Sequence, residues 1–340
     1  MTRSRLCRTF QTAPAAVPRD DGAKYLRSGL AAEGWQAPDW LVPDLEDGTA
    51  PDRKDEALDN VRDLLPEYAP EFAGEIWPRV EWDYGDGATS ERGRGQIAEL
   101  VESVGEHLDG VVVPKVGRLA DVEDAEAAVE AAARETGRDV DLAVIVETAR
   151  ARSDLREIAQ FGADSRLAAL VFGPVDYAAE LGGRDVGGSP EWPGLYEALS
   201  NEASANDLLA IGGPFDRLFR ERAGVTFYNG DAYAEYVERE ARVGLDGSWS
   251  LHPNQTEQAN RIHLPSEAEL REAVRKIEGF VEAKAEGTGA VSIDGQMVDE
   301  ATFKNFENTV ETVRAVHEAR ESQTREYYDA DLLDRALAAG

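Results

Sequence analysis

The sequence predicts a closed (β/α)₈ barrel followed by a helical C-terminal appendage. The main observation is a repeated unit, in which a short apolar run precedes a longer charged run with helical periodicity, and it recurs about eight times. Four of the apolar runs are continuous rather than alternating, as expected for parallel strands buried on both faces. After the eighth unit the pattern changes to one long helix, a glycine-containing break and further helix.

The predicted strands, in chain order, are Arg8–Pro14, Leu41–Leu45, Glu75–Val80, Gly110–Lys115, Leu142–Glu147, Leu167–Gly173, Leu208–Gly212 and Val243–Leu251. Arg8–Pro14 carries the weakest strand pattern. The predicted helices between them are Lys54–Leu65, Glu91–His107, Asp121–Thr136, Arg152–Phe161, Tyr196–Asn206 and Asp231–Arg242. A doubly wound open sheet is the alternative, but no G-x-G-x-x-G motif follows any of the strands.

The C-terminal quarter departs from the repeat. Ser266–Lys284 reads as a long final helix, and residues 286–290 form a flexible break. The segment VSIDGQMVDE (291–300) leads into a helix with apolar residues on one face, and a short helix at 327–339 ends the chain. We therefore expect a barrel domain over residues 1–265, with its final helix reaching about 284, and an appendage over 285–340.

The charge balance excludes several classes of function. The 340 residues carry 67 Asp+Glu and 36 Lys+Arg, a formal net charge of −31. Such a chain lacks the basic surface of a nucleic-acid binder. Its negative charge also disfavours binding to anionic lipid membranes. Because 42% of the residues are hydrophobic, it can still build a large core. Many acids with few lysines are typical of a halophile's proteins, and an ordinary acidic enzyme is the alternative.

Cysteine use and hydropathy indicate where the protein acts. The single cysteine, Cys7, rules out an intrachain disulfide and a zinc site built on cysteines. The apolar runs are far shorter than the roughly 20 residues that span a bilayer. The basic N-terminus lacks the apolar core of a secretory signal. We expect a soluble protein of the cytoplasm.

The active site of a (β/α)₈ barrel lies at the carboxyl ends of its strands, so the residues there are the candidates for chemistry. Glu147 and Asp176 each follow a continuous apolar strand, and their carboxylates should face each other across adjacent strands. Two close carboxylates repel unless a cation lies between them, and oxygen ligands suit a hard divalent ion. With few protein ligands, water and substrate oxygens would complete the coordination, as is typical of Mg²⁺. Helix capping is the alternative for either acid alone.

Basic residues end two further strands. A guanidinium fixed at Arg79 could hold a carboxylate or a developing oxyanion, and a salt bridge is its alternative role. Lys115 is a weaker candidate of the same kind. His252 is either a general base or a structural residue, and the sequence leaves this open. The sequence contains no P-loop or H-E-x-x-H motif.

These segments together resemble the HpcH/HpaI-like citrate lyase β-subunit superfamily, and within it the malyl-CoA and β-methylmalyl-CoA lyases. The resemblance rests on DLEDGTAPDRK (44–54), WPRV (77–80), VVVPK (111–115), IVETARA (145–151), ALVFGPVDYAAELG (169–182), GGPFD (212–216) and LHPNQ (251–255). It covers nearly the whole chain. The usual Pro-Gly turn after the first strand is Ala13-Pro14-Ala15 here, which puts the contacts with the CoA phosphates in doubt.

The resemblance implies a role for each of the predicted site residues. Mg²⁺, with Mn²⁺ as a substitute, would be held by Glu147 and Asp176, with Asp44, Glu46 and Asp47 around its waters. The implied substrate contacts come from Arg79, Gly173, Pro174, Glu46 and Asp47, and the implied CoA contacts from Lys115 and Arg8. The motif G-x-M-V-D (295–299) makes Asp299 the candidate catalytic acid/base beside Arg79. In such lyases the appendage closes over the barrel of a neighbouring subunit, which implies a homo-oligomer, a trimer or hexamer.

The implied reaction cleaves malyl-CoA or β-methylmalyl-CoA to acetyl-CoA or propionyl-CoA and glyoxylate, without a redox cofactor. Three alternatives remain at this point: a malyl-CoA thioesterase, a citramalyl- or citryl-CoA lyase, and a non-catalytic acyl-CoA binder. The set of Glu147, Asp176, Arg79 and Asp299 argues against the binder. Neither the preferred acyl group nor the physiological direction follows from the sequence.

Overall fold

Eight parallel strands form the central sheet of the computed structural model, which describes residues 5–19, 21–183, 192–222 and 224–339. The strands are β1 (Thr9–Pro14), β2 (Trp40–Asp44), β3 (Glu75–Ile76), β4 (Gly110–Val113), β5 (Asp141–Val146), β6 (Leu167–Phe172), β7 (Leu209–Pro214) and β10 (Gly247–Ser250). Their order is β3-β2-β1-β10-β7-β6-β5-β4. The predicted (β/α)₈ barrel is confirmed.

Residues 76–80 close the ring between the two ends of that order. Arg79 bridges in parallel to Asp44, the last residue of β2, and to Val112 in β4. The Val112 amide donates to the Pro78 carbonyl at 2.9 Å, and the Val80 amide donates to the Val112 carbonyl at 3.1 Å. The regular strand β3 is short, yet its continuation carries the hydrogen bonds that join β2 to β4.

Helices connect the strands on the outside of the ring. They are α1 (Lys24–Leu30), α2 (Lys54–Tyr68), α3 (Gly87–Val104), α4 (Leu119–Thr136), α5 (Ala149–Ser153), α6 (Leu155–Gly162), α7 (Pro174–Glu180), α8 (Pro193–Ala205), α9 (Gly230–Arg242) and α10 (Pro253–Ile262). The predicted helix 152–161 is divided at Asp154 into α5 and α6. A two-stranded antiparallel hairpin, β8 (Phe219–Arg222) and β9 (Val225–Tyr228), follows β7 and was not predicted.

The core has two layers. Alternate strand residues fill the barrel interior, where the rings of Trp40 and Trp77 stack at 3.9 Å. Gly110 makes room for this stack, because a Cβ at residue 110 would lie 2.1 Å from the Trp77 ring. The other strand faces pack against the helices through Leu, Val and Ala side chains. Aromatic and aliphatic side chains thus fill the barrel interior, and polar residues lie at its carboxyl end.

The described chain forms two compact units, and the second begins at Arg261. The second unit contains α11 (Glu267–Ala285), β11 (Val291–Ile293), β12 (Gln296–Val298), α12 (Glu300–Ala319), α13 (Glu321–Tyr327) and α14 (Ala330–Ala338). The helix α11, expected as the final barrel helix, packs here against α12 and α14. Within the described residues, every helix is too short or too polar to cross a membrane.

Candidate active site

A buried ion pair lies at the carboxyl ends of β2 and β3. Arg79 Nε lies 2.8 Å from Asp44 Oδ1, and Nη2 lies 2.6 Å from Oδ2. Both side chains are buried, and Glu46 Oε2 lies 3.3 Å from Arg79 Nη1. The charge of Asp44 is the main cause that raises the pKa of Arg79, against its burial. The guanidinium is therefore a fixed cation with its plane set by a carboxylate.

Lys115 connects this pair to the next strands. Its ammonium contacts Glu46 Oε1 and lies 2.8 Å from Asp47 Oδ2. Its backbone is in the left-handed region with φ of 49°, and in this conformation its amide donates to Glu147 Oε1 at 2.8 Å. A non-glycine residue in that region carries strain, which the surrounding contacts must offset. Lys115 thus ends β4 and orients the carboxylate at the end of β5.

Glu147 and Asp176 form the acidic centre of the site. Glu147 is 3% exposed, and burial, followed by the charge of Asp176, raises its pKa to about 8. Burial also raises the pKa of Asp176, which lies in the first turn of α7. Gly173 keeps the space beside them open, because a Cβ there would lie 2.2 Å from Glu147 Oε2. The two acids that the sequence places on adjacent strands are brought together.

This donor set suits a hard cation. Burial raises the pKa of both carboxyls, and the charge of Asp176 also raises that of Glu147. A divalent ion with oxygen ligands would stabilise the two carboxylates in their charged form. Within the described residues, no group of three or more His, Cys, Asp or Glu side chains could hold a metal. Glu147 and Asp176 could supply two protein ligands, and water or substrate oxygens could supply the rest, which suits Mg²⁺. Burial raises the pKa of nearby Glu46 to about 7, against the attraction of Arg79 and Lys115.

Comparison with known proteins identifies the family. The family model HpcH/HpaI aldolase/citrate lyase matches residues 30–253, more than half of the chain. The chain belongs to the HpcH/HpaI aldolase/citrate lyase family. It is therefore an enzyme of the carbon–carbon lyase class.

Relatives of the family cover nearly the whole chain. It is 63% identical over 337 residues to the L-malyl-CoA/β-methylmalyl-CoA lyase of Haloarcula marismortui, covering 98% of this chain and 97% of that one. It is 30% identical over 331 residues to the lyase of the same name from Rhodobacter capsulatus, covering 88% and 96%. The solved Haloferax volcanii malate synthase pyruvate/acetyl-CoA ternary complex is 30% identical with a TM-score of 0.71, covering 98% of this chain and 99% of that one.

Two further HpcH/HpaI motif positions lie beside the carboxylates. Gly173 and Pro174 join β6 to α7, and Pro174 is the first residue of the helix that carries Asp176. The residue after β6 has no room for a side chain, so the helix begins directly beside Glu147. These positions shape the site through the backbone, and their substrate contacts stay a prediction.

The environment of Asp44 differs from the expected one, in which Asp44 would contact the waters of the metal. Its two oxygens accept hydrogen bonds from Arg79 and from the amides of Glu46 at 2.9 Å and Gly48 at 2.8 Å. The carboxylate is therefore engaged on all sides by its own loop and by Arg79. Its role is to orient Arg79 and the loop, and Glu46 and Asp47 are the acids of this motif that remain near Lys115.

The structure does not bring Arg8 to this site. Arg8 precedes β1, so it lies at the amino end of the barrel, opposite the carboxylates. Arg8 is 1% exposed, and its guanidinium donates to both oxygens of Asp39 at 2.8 and 2.9 Å and to the Asn260 carbonyl at 3.1 Å. This burial gives Arg8 a structural role in place of the expected CoA contact.

His252 follows β10 and lies among aromatic rings. Its ring stacks on Tyr228 at 5.9 Å and meets the edge of Phe219 at 6.2 Å, both from the unpredicted hairpin. Burial lowers its pKa, and Nδ1 accepts from the Asn254 amide at 3.1 Å. The lowered pKa disfavours the charged ring, and Nδ1 is occupied by a backbone amide, so the structural alternative is favoured.

Asp299 lies in the second unit, at the start of α12. Its side chain is exposed and accepts from the Thr302 amide at 2.9 Å, so it is the N-cap of that helix. This hydrogen bond lowers the pKa of Asp299. The preceding strands β11 and β12 pair through a tight turn at Asp294 and Gly295, both with positive φ. A hairpin therefore holds the G-x-M-V-D motif.

Lys54 also lies at the site, although it was not among the predicted site residues. Its ammonium donates to the carbonyls of Leu45 at 2.8 Å and of Glu46, and so fixes the loop that carries the acids. It is the last residue of the segment DLEDGTAPDRK. Its place at the start of α2, next in the chain after the loop that carries the acids, could have predicted this contact.

Proposed function

We propose that the chain catalyses the reversible cleavage of malyl-CoA and β-methylmalyl-CoA to glyoxylate and acetyl-CoA or propionyl-CoA. The observation that carries the proposal is the pair of the buried Glu147 and the half-buried Asp176, near the fixed guanidinium of Arg79. The 63% identity to a lyase of this name over nearly the full length supports the choice of substrate. The citramalyl- and citryl-CoA lyases of the family are the nearest alternatives.

The acidic pair would hold the end of the substrate that becomes glyoxylate. Bound by Glu147 and Asp176, Mg²⁺ would orient the 2-hydroxy acid and stabilise its negative oxygens. The backbone amide of Lys115 fixes one oxygen of Glu147, so the carboxylate keeps its direction when a ligand exchanges. Glu46 and Asp47 on the neighbouring loop would accept hydrogen bonds from the waters of the site. Mn²⁺ should substitute, because it accepts the same oxygen ligands.

Arg79 would stabilise the charge that develops on the thioester. Cleavage leaves the electron pair of the broken C–C bond as an enolate on the acyl group. Arg79 uses Nε, one N–H of Nη2 and one of Nη1 for Asp44 and Glu46. A guanidinium has five N–H groups, so two remain for a substrate oxygen. A preoriented cation of this kind lowers the energy of the enolate because it needs no reorganisation.

Asp299 is the proposed acid/base for the α-carbon. The net proton movement in cleavage is from the substrate hydroxyl to the released α-carbon, and Asp299 would act at that carbon. Its exposed position at the end of a hairpin supports delivery to the barrel of a neighbouring copy. We therefore propose a homo-oligomer, a trimer or hexamer, in the cytoplasm of a halophile, with residues 285–340 as the lid.

A direct assay tests the proposal. Purified protein is incubated in high salt with Mg²⁺, glyoxylate and either acetyl-CoA or propionyl-CoA, and the products are identified by mass spectrometry. We expect a C4 or C5 hydroxyacyl-CoA. Failure to form either product with either thioester would contradict the lyase assignment.

Hydrolysis is the second candidate. An apparent malate synthase of Haloarcula marismortui is 37% identical over 273 residues, covering 76% of this chain and 60% of that one. In a malyl-CoA thioesterase, water would attack the thioester after condensation. Release of free CoA together with malate in the same assay would identify this outcome, and intact hydroxyacyl-CoA would exclude it.

A further inference from the structure

A bulge interrupts the pairing of β7 with β10 at the carboxyl end of the barrel. The register shifts there by one residue, so Gly212 and Gly213 of β7 both lie opposite Ser248 of β10. The pairing of β7 with β6 ends before this point, at Ile211. A bulge leaves backbone groups unpaired by the ladder and is often found next to an active site. The buried amide of Gly213 therefore needs a partner from outside the sheet.

Glu240 supplies that partner from α9, the helix between β7 and β10. Its Oε1 accepts from the Gly213 amide at 3.1 Å, and its Oε2 accepts from Ser248 Oγ at 2.5 Å. Glu240 is fully buried, and Gly212 makes room for it, because a Cβ at residue 212 would lie 2.0 Å from Oε1. One carboxyl group thus bonds both strands at the bulge.

Two tyrosines hold the carboxyl group of Glu240 in place. Tyr236 lies one turn earlier on α9 and hydrogen bonds to it, and the Tyr236 hydroxyl lies 2.8 Å from that of Tyr196 on α8. Both tyrosines are buried. A buried polar network whose members are bonded to one another is rigid. Glu240 therefore offers the two strands a fixed hydrogen-bonding group.

The bulge lies directly against the start of the helix that carries Asp176. A Cβ at Gly213 would lie 2.5 Å from Pro174 Cδ, so the backbone of β7 touches the first residue of α7. Asp176 lies in the first turn of that helix, and the preceding Gly173 packs against Glu147. A displacement of Gly213 would therefore move Pro174, and with it the carboxylate of Asp176.

The other strand of the bulge leads to Arg79. Trp249 follows Ser248, and the centre of its ring lies 5.6 Å from the guanidinium carbon of Arg79. Its Nε1 donates to Thr12 Oγ1 at 2.9 Å, which ties the ring to β1. The bulge thus has contacts towards both the acidic and the basic groups of the candidate site.

We propose that Glu240 is a positioning residue, which fixes the bulge and through Gly213 and Pro174 sets the place of Asp176 as a ligand of a divalent ion. This inference rests on the proposed function, because it takes Asp176 as a metal ligand. Glu240 lies between the strands and α9, so it touches neither the metal nor the substrate and takes no part in bond breaking. Groups that orient metal ligands change metal affinity when they are lost.

The test compares Glu240→Met with Glu240→Gln and with the control Val237→Ala. Methionine offers no acceptor to the Gly213 amide, whereas glutamine keeps an acceptor for it and a donor for Ser248 Oγ. Val237 is fully buried three residues earlier on α9, so Val237→Ala weakens packing without removing a hydrogen bond. Binding of Mn²⁺ without substrate is measured in high salt at neutral pH, from the EPR signal of the free ion.

The two kinds of variant should differ in metal affinity. For Glu240→Met we expect the Kd for Mn²⁺ to rise about 10-fold, and Glu240→Gln should recover most of this loss. Val237→Ala should lower the melting temperature and keep the Kd within about twofold of the wild type. An unchanged Kd in Glu240→Met, or an equal rise in Val237→Ala, would overturn the proposal and leave Glu240 with a role in stability alone.

Gly213→Ala tests the contact with α7 and does not depend on the folding of Glu240→Met. Its Cβ would press on Pro174, so the Kd for Mn²⁺ should rise although Glu240 is intact. In the double variant the two effects should total less than their sum, because both act through Pro174. An unchanged Kd in Gly213→Ala, or full additivity, would show that the bulge does not set the place of Asp176.

The wild type separates this inference from the proposed function. If the wild type binds Mn²⁺ but turns over no thioester, the proposed function fails, and the Kd of Glu240→Met still decides the role of Glu240. If the wild type is active and Glu240→Met binds Mn²⁺ equally well, the function stands and the positioning role is wrong. If the wild type binds no Mn²⁺, the metal assignment fails and this inference fails with it.

Discussion

Arg79 and Asp44 form a buried bidentate ion pair, in which Nε and Nη2 of the arginine lie 2.8 and 2.6 Å from the two carboxylate oxygens. Asp44 also accepts from two amides of its own loop, so it joins the Arg79 guanidinium to the loop that carries Glu46. Removing one partner of a buried pair leaves an uncompensated charge, which is why the pair is sensitive to substitution.

Asp44→Asn should destabilise the protein and reduce its activity. We expect a loss of about 2–4 kcal/mol in the free energy of unfolding, because the amide keeps the shape but leaves Arg79 partly uncompensated. Denaturant unfolding in high salt measures this, with Asp139→Asn as the control. The pair of Asp139 with Arg166 is exposed, so its loss should cost less than about 0.5 kcal/mol. Equal stability of the two variants would show that the buried pair contributes little.

Glu147→Gln should abolish the response to Mg²⁺ and leave the fold intact. EDTA should inactivate the wild type, Mg²⁺ or Mn²⁺ should restore it, and the melting temperature should rise when metal binds. The variant should show neither effect, because one of the two carboxylates is lost. Glu157→Gln, on the exposed surface of α6, is the matched control. Activity that resists EDTA would exclude the metal assignment.

Asp299→Asn and Asp299→Ala should separate catalysis from helix capping. Asparagine is a good N-cap, whereas alanine is a poor one, so only Asp299→Ala should lower the melting temperature. Both variants lack the acid/base, and each should lose roughly 100-fold or more in kcat. A fully active Asp299→Asn variant would remove Asp299 from the mechanism.

Glu240, a buried residue outside the candidate site, should make the stability of the fold depend on pH. Its carboxyl on α9 is fully buried and accepts from Ser248 Oγ at 2.5 Å and the Gly213 amide at 3.1 Å. Burial raises its pKa to about 8, against these hydrogen bonds. A carboxyl with a raised pKa holds its proton in the folded state, so its contribution is complete below about pH 4.5 and is lost as the pH rises through 8.

Glu240→Gln should therefore flatten the fall in stability between about pH 5 and pH 8. The difference from the wild type should reach a few kcal/mol, on the order that such a shift allows. Melting curves at several pH values, with the exposed Glu33→Gln as control, measure it. Parallel curves for the wild type and Glu240→Gln would show that Glu240 stays ionised in the folded protein.

The sequence predicts the barrel well because its strands are continuous apolar runs with charged helices between them. It places Glu147 correctly at the end of a strand, since this depends only on where an apolar run stops, whereas Asp176 lies four residues beyond β6, in the first turn of α7. The hairpin Phe219–Tyr228 was missed because its charged and apolar residues leave no apolar run, and its large side chains are exposed. The Asp294-Gly295 dipeptide is typical of a hairpin turn, although no strands were predicted on either side of it.

Other features depend on contacts between distant residues. The role of Arg8 was misjudged because its partner, Asp39, is 31 residues away, and because a residue before a strand lies at the wrong end of the barrel. The amide of Lys115 reaches Glu147 only through a left-handed backbone, which its sequence does not indicate. The pairing of Asp44 with Arg79 likewise follows from the three-dimensional arrangement of β2 and β3.

The hydrogen bonds of residues 76–80 to both neighbouring strands make Arg79 part of the seam at which the barrel closes. We therefore predict that the seam closes and the candidate site assembles in one cooperative step of folding. The amides of Val80 and Val112 should exchange with deuterium only through global unfolding, at the rate of the slowest amides in the chain. Fast exchange at these two amides would show that the seam opens by itself, and that the enzyme can lose its site without losing its fold.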